Sequence, residues 1–442
     1  MIASKIGKTF LTAYNTKYKK SYSARDFFER IYFPLFYDHE KYMQWISNSP
    51  YDQISKQKLT GDKKKRHEAN KKLITAIEKQ EIGMSTSVGF PSSDVMATTS
   101  GMVSNIKLPL HSENIYLSWI GGGCGIGVQG GLSLYIDNAE VLMLVFEGWK
   151  LYRKEYLNKL KKLRGNQMDT WNGQWLAHAM DTNFNPKKPL AEFNPIETDK
   201  AGNMQLSTQN WLKVIFGLTN KIKNHIVTGY IFSLGNTNFT VGFIPFNLPQ
   251  IKHPIELYKI IFGENEYLKN AKQIEGLFGS EHSFLKCCEM GAIGIKALEP
   301  KGLKGYIFLQ NGEMKMPDYK KQTQIVTYNT YITWILSMLN ATETLWEKAG
   351  AYAQILLTYE QSAKKGSTKK GNEVSFILKS SYPKQFIDAL TVLLEDNNID
   401  LKAINKIAEE ADRMPKENFP YFLSLIRFKY AYHKNLLKTS KL

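Results

Sequence analysis

An α+β fold is what this sequence predicts: a large mixed α/β body over residues 1–315, followed by a C-terminal helical bundle over residues 316–442. Three observations predict it. Short runs before about residue 312 alternate apolar with polar residues, as Leu132, Leu134 and Ile136 do with Ser133, Tyr135 and Asp137. From about Thr323 that period-two pattern stops, and apolar residues recur at three- and four-residue steps. The chain of 442 residues, 43% hydrophobic with 24 Tyr, 23 Phe and 8 Trp, has enough apolar mass for two or three domains.

The first element of note is glycine-rich. Seven of the eleven residues from Gly121 to Gly131 are glycine, between two strand-like segments, Asn114–Ile120 and Leu132–Asp137. Gly125-x-Gly127-x-x-Gly130 matches the dinucleotide-binding pattern, which needs a helix to start inside the glycines. Here a strand follows instead, so the run reads as a strand pair or bulge whose missing side chains let another backbone approach. Leu142, Val145, Trp149, Tyr152, Tyr156, Leu160 and Leu163 then mark one helical face, its aromatic members read as core. Ile231–Leu234 and Thr240–Phe246 flank Gly235–Phe239 as a strand-loop-strand unit. In the bundle, Tyr328, Ile332, Ile335 and Leu339 make one helical stripe, and Phe386, Leu390, Leu393 and Leu394 another. Pro383 suits a first turn, Asp400 suits a cap before Leu401, and Phe422, Leu425, Ile426 and Tyr430 make a last amphipathic face. Four or five helices are expected, the last ending basic with Arg427, Lys429, Lys434 and Lys438.

Charge points to partners. The net charge is +17, which favours polyanions, nucleic acid before an anionic membrane surface. The basic residues cluster: Lys56 to Lys72, with Lys63, Lys64, Lys65, Arg66, Lys71 and Lys72 as candidate nucleic-acid contacts; Lys150 to Arg164, with Lys161, Lys162 and Arg164; and the polar stretch Gln361–Asn372, read as a flexible loop. No apolar run reaches the length of a membrane span, and the N-terminus lacks a signal-peptide core. Three cysteines, Cys124, Cys287 and Cys288, make neither a disulfide framework nor a four-thiolate zinc site. A cytoplasmic protein is expected.

Catalytic signals are weak. None of the eight histidines pairs with another at metal-ligand spacing on a helix, and neither a phosphate-binding loop motif nor a nucleophile elbow is present. The expectation is therefore no enzyme, no cofactor and no metal. Recognition chemistry is better represented. Asn, Gln and Ser side chains suited to base edges sit beside glycine in three loops: Ser100 and Asn105 in Thr98–Asn105, Asn172 and Gln174 in Trp171–Trp175, and Asn236 and Asn238 in Ser233–Asn238. All six are candidates for reading a DNA motif.

These pieces resemble a known family. Ser23–Asp38 with Trp45–Pro50 is similar to the opening of the large subunit of type I CRISPR Cascade complexes. Thr99-Ser-Gly101 leading to Ile115–Gly122, then Asn238–Phe246, then Phe422–Tyr430 resemble it in the same order. The likeness spans most of the chain and lies nearest the branch found in subtype I-B systems. Some relatives carry paired C-x-x-C zinc motifs, which this chain lacks. The resemblance implies a non-catalytic subunit of an antiviral ribonucleoprotein complex. Such a subunit holds the foot of the complex near the guide RNA (crRNA) handle and contacts the other Cascade subunits. It inspects the protospacer-adjacent motif (PAM) in target double-stranded DNA, helps open the duplex and docks a helicase-nuclease. Its C-terminal bundle lies along the displaced strand. Two other readings stay open: a nucleotide-dependent enzyme using Gly121–Gly131, and a free-standing single-strand nucleic-acid-binding protein.

Several relatives also make their C-terminal bundle from an internal start, as a small subunit. Here Met314 and Met316 fall where the strand pattern gives way to helices. Gly312-Glu313 must be encoded GGN-GAR, similar to a bacterial ribosome-binding sequence, six nucleotides before the Met316 codon. A separate product from Met316 is expected.

Overall fold

A computed structural model of the chain describes residues 1–81, 83, 85–89, 111–222, 225–234, 240–280, 282–307, 321–396 and 399–439. Its contacts divide it into two compact units, residues 1–249 with 282–293 and residues 250–281 with 294–442. The fold is α+β: helices predominate, with small antiparallel sheets among them.

The first unit opens with α1 (Ile2–Tyr18), α2 (Lys63–Glu78) and α3 (Ser112–Gly122). Helices α1 and α3 pack almost backbone to backbone. A Cβ on Gly7 would lie 2.0 Å from the Leu117 carbonyl oxygen, and one on Gly121 would lie 1.9 Å from that of Ala3. This corrects the expectation of a strand at Asn114–Ile120. Ile115 to Gly122 are buried throughout, and a continuous apolar run has no periodicity to separate a buried helix from a buried strand.

Next along the chain come β1 (Ile126–Val128), β2 (Leu132–Ile136), α4 (Ala139–Leu151), α5 (Met168–Ala179), the hairpin of β3 (Ile196–Thr198) and β4 (Met204–Leu206), α6 (Trp211–Lys221), β5 (Ile226–Ser233) and β6 (Thr240–Asn247). The glycine run does form a strand pair. Gly130 (φ 96°) and Gly131 (φ 70°) supply the left-handed backbone of its turn. The sheet continues in the antiparallel order β1-β2-β5-β6. The expected strand-loop-strand unit is the β5–β6 hairpin, whose tip, residues 235–239, lies outside the described residues. Trp149 on α4 is fully buried among Phe10, Tyr32 and Phe36, with ring centroids 5.3, 6.1 and 4.8 Å away. Trp149 and Tyr152 of the aromatic stripe are core and Tyr156 is half-buried, but the expected single helical face is corrected: α4 ends at Leu151, and Leu160 and Leu163 lie on the turn beyond it.

The second unit holds α7 (Glu264–Leu277) and then α8 (Gln322–Met338), α9 (Glu343–Gln361), α10 (Lys369–Leu378), α11 (Pro383–Leu390), α12 (Leu401–Arg413) and α13 (Phe419–Thr439). Pro383 occupies the first turn of α11. The Asp400 carboxylate caps α12 by accepting from the Lys402 and Ala403 amides. Phe422, Leu425, Ile426 and Tyr430 of α13 are buried. The unit starts earlier than the boundary at 315/316. Tyr331 of α8 donates to the Lys301 carbonyl at 2.5 Å, the Trp334 indole to that of Leu298, and Gln273 of α7 to that of Thr323 at 2.7 Å. The loss of strand pattern marks where α8 approaches, whereas the packing also recruits residues 250–281 and 294–307.

Candidate nucleic-acid interface

Helix α2 places its cations at the end where a helix dipole is already positive. The Asp62 carboxylate caps it, accepting from the Lys64 amide at 2.8 Å and the Lys65 amide at 3.3 Å. Lys63, Lys64, Lys65 and Arg66 then fill the first four helical positions. Each positive charge there is unfavourable by about 0.3–1 kcal/mol at low salt, a cost that a bound phosphate would relieve. Lys63, Lys64, Lys71 and Lys72 are exposed and have no ion pair among the described residues. Lys65 pairs with Glu68 at 3.1 Å.

Arg66 is the exception, and the expectation that it contacts nucleic acid is corrected. It is 8% exposed. Its Nε donates to Asp38 Oδ1 at 3.2 Å and its Nη1 to the Thr60 carbonyl at 2.6 Å. The sequence held the signal: positions 66, 69, 73 and 77 share one helical face, and Ala69, Leu73 and Ile77 are its buried members.

The second cluster lies on a turn. After α4 the chain makes a wide helical turn, Tyr152–Leu157, and reverses at Leu160–Gly165. Leu163 is buried beside Met204 of β4, while Lys161, Lys162 and Arg164 project to solvent. The Met204 amide donates to the Lys162 carbonyl at 3.2 Å, and the Arg164 amide to the Met204 carbonyl at 3.0 Å. Arg164 also lies 3.6 Å from Asp199, an exposed pair of little energetic weight.

One short segment anchors both clusters. Asp38 holds Arg66 and lies 3.4 Å from His67 on α2, and its carbonyl accepts from Arg153 Nη2 at 2.8 Å. Burial brings the Arg153 guanidinium down to about 10. Three residues on, the Lys41 ammonium donates to the Leu160 and Lys161 carbonyls at 2.9 and 3.1 Å. Three peptide steps span at most about 11 Å, so the anchors of α2 and of the basic turn are close neighbours.

Asn172 and Gln174 are corrected as base readers. Trp171–Trp175 is part of α5, not a loop. Asn172 is fully buried; its Nδ2 donates to the Gly123 and Gly125 carbonyls at 2.8 and 2.7 Å, and its Oδ1 accepts from the Trp149 indole at 3.2 Å. Both amide hydrogens are thus used inside the protein. The Gln174 amide donates to the Ser207 carbonyl and hydroxyl at 2.7 and 2.8 Å and accepts from Gln209 at 3.1 Å. Asn172-Gly173 has turn composition, but Gly173 is there for packing: its Cβ would lie 2.0 Å from the Gly127 carbonyl oxygen. Gly125 and Gly127 are likewise filled by Asp169 of α5. Cys124 is buried, which raises its thiol well above the usual range. Ser100, Asn105, Asn236 and Asn238, like Met314 and Met316, lie outside the described residues.

In the second unit, the stretch Gln361–Asn372 is a turn only as far as Thr368, beyond which α10 begins. Lys364 and Lys365 are exposed, whereas Lys370 pairs with Asp396. The basic end of α13 is largely committed to packing. Arg427 is buried, donates to the Leu378 carbonyl at 2.5 Å and is brought down to about 10 by that burial. Lys429 sits 3.9 Å over the Trp346 ring, and Lys434 pairs with Glu360 at 2.7 Å.

Among the described residues no helix is long and apolar enough to cross a membrane. Comparison with known proteins found no family model, no curated protein and no solved structure that matches the chain.

Proposed function

We propose that this chain is a non-catalytic large subunit of an RNA-guided CRISPR surveillance complex, binding nucleic acid through the first unit's basic face. It recognises the protospacer-adjacent motif in duplex DNA, assists unwinding and offers a docking surface to a helicase-nuclease. The observation that carries the reading is the anchoring of two basic clusters by residues 38–41. That arrangement offers Lys63, Lys64, Lys71, Lys72, Lys161 and Lys162 to solvent without ion pairs among the described residues. The resemblance of the quoted motifs to Cascade large subunits supplies the biological setting. In this division of labour base pairing reads the target, and the protein reads a short motif and the shape of the duplex. With Asn172 committed to the interior and the half-buried Gln174 held by Ser207 and Gln209, motif reading falls to Ser100, Asn105, Asn236 and Asn238.

The separate product from Met316 belongs to the same proposal. It would lack Leu298 and Lys301, which accept from Trp334 and Tyr331, so it needs a partner surface to cover that side of α8.

The test is a salt titration of DNA binding. Lys161→Glu with Lys162→Glu weakens binding to every DNA sequence and lowers the salt slope by about two, one for each phosphate no longer neutralised. An unchanged slope removes this turn from the interface.

A further inference from the structure

One face of the four-stranded sheet is core and the other is only half covered. Leu134, Ile231, Ile244 and Phe246 point to the buried side. On the opposite side Tyr135, Tyr230 and Phe243 stand directly across from one another on β2, β5 and β6. Phe232 lies in the next row, its ring 4.8 Å from that of Tyr135 and 6.2 Å from that of Tyr230. The Tyr230 and Phe243 rings are 5.1 Å apart, and those of Tyr135 and Tyr230 are 6.5 Å apart and nearly parallel.

Helix α5 covers this side over β1 and β2, where Asp169 accepts from the Ser133 hydroxyl at 2.7 Å. Exposure then rises across the row: Tyr135 is 8% exposed and Phe243 is 61% exposed. Ile226, at the start of β5 on the same side, is 62% exposed. An apolar and aromatic patch left open on a sheet marks a binding surface.

We propose that this open face stacks the unpaired bases of a single-stranded nucleic acid. The proposal rests on the nucleic-acid reading above and adds to it the ligand class and a site apart from the basic clusters. A row of aromatic rings on an antiparallel sheet is the chemistry that holds splayed bases, since every base has a π face. Charge selects the occupant. Strands β5 and β6 carry no Asp, Glu, Lys or Arg in a chain of net charge +17, so nothing on them repels a phosphate. One uncompensated cation lies near the end of the sheet where β5 begins. Lys221, which ends α6 five residues earlier, is exposed without an ion pair among the described residues. Lys5 is there too, but it is paired with Asp137 just beyond β2 at 3.7 Å. A phosphate could pair with Lys221, which an apolar protein partner would leave unused.

The experiment measures the anisotropy of a fluorescein-labelled oligo-dT of about 20 nucleotides, site size permitting several stacked bases, with the full-length chain. Ultraviolet crosslinking and mass spectrometry of the adducts accompany it. Phe243→Ala weakens binding by about 5- to 150-fold, the loss of one stacked base, with the salt slope unchanged because the same phosphates stay neutralised. Phe243→Tyr keeps the affinity, Ile226→Ala costs little, and crosslinks fall on Tyr230, Phe232 or Phe243. Both exposed positions tolerate substitution without unfolding, which circular dichroism verifies. Wild-type affinity in Phe243→Ala, while Lys161→Glu with Lys162→Glu still weakens binding, overturns the platform and leaves the basic interface standing. No binding by any variant or by the wild type overturns both. Crosslinks from this face to another protein subunit, or self-association abolished by Phe243→Ala, overturn the platform in favour of a protein interface.

Discussion

The buried Arg66 guanidinium donates to the Asp38 carboxylate at 3.2 Å, tying the first turn of α2 to the segment that also fixes the basic turn at Lys161. Removing one partner leaves the other charge poorly solvated. A fully buried pair broken in this way costs about 3–5 kcal/mol. Asp38 keeps 24% exposure, so Asp38→Ala or Arg66→Ala should cost roughly 2–3 kcal/mol. Urea denaturation measures it. A loss under about 0.5 kcal/mol, the range of an ordinary surface substitution, contradicts the anchoring role.

The exposed lysines of α2 should behave in the opposite way. Lys63→Glu with Lys64→Glu places two carboxylates at the positive end of the helix dipole, where each is favourable by about 0.3–1 kcal/mol. The double variant should therefore melt at a higher temperature and bind nucleic acid more weakly. Thermal unfolding and anisotropy on the same samples separate the two effects. A lowered melting temperature would mean that these lysines hold the fold.

Asn172 yields a structural phenotype rather than a recognition one. Asn172→Ala strands two carbonyls and one indole N–H in the core, at about 1–3 kcal/mol for each unsatisfied group. The expected result is a destabilisation of several kcal/mol with unchanged motif preference in whatever fraction folds. A stable Asn172→Ala protein with altered preference among DNA motifs would reverse that assignment.

These residues show what was legible in the sequence. The period-two and helical stripes located β2, β5, β6, α4 and the C-terminal helices, because the face each turns to the core is apolar at that element's own period, although β2 is buried on both faces. Asp400 and Pro383 marked helix starts because their chemistry is local. Ile115–Ile120 misled because a helix buried on all sides loses its period. Asn172-Gly173 misled because Gly127, 46 positions earlier in the chain, is what requires a glycine there, and no local pattern records it. Among the basic residues, composition grouped Arg66 with its neighbours, and only its place on the Ala69–Leu73–Ile77 face set it apart. The row of Tyr135, Tyr230 and Phe243 depends on strand register, which a single sequence does not supply.

Asp169 sets a pH dependence. Burial raises its carboxyl from the ordinary 3.8 to about 6, the Ser133 hydrogen bond opposing only in part. The folded state therefore holds this proton more tightly than the unfolded state. Stability from this group is present below pH 4, declines as pH rises from about 4 to about 6, and stays lost above. Asp169→Asn keeps an acceptor for Ser133 and removes the titration. Relative to wild type, the variant should gain up to about 2–3 kcal/mol between pH 4 and pH 7. Denaturant midpoints of both proteins across that range test it. A difference independent of pH contradicts the assignment.

The proposed role in an RNA-guided complex is tested most directly by isolating the chain from its own cells through an affinity tag. The bound nucleic acid is then sequenced and the bound proteins are identified by intact mass. The account predicts a short RNA carrying one repeat-derived handle and varied spacer sequence, together with several further protein subunits in fixed proportion. A chain that emerges alone, or with nucleic acid of no common handle, contradicts it.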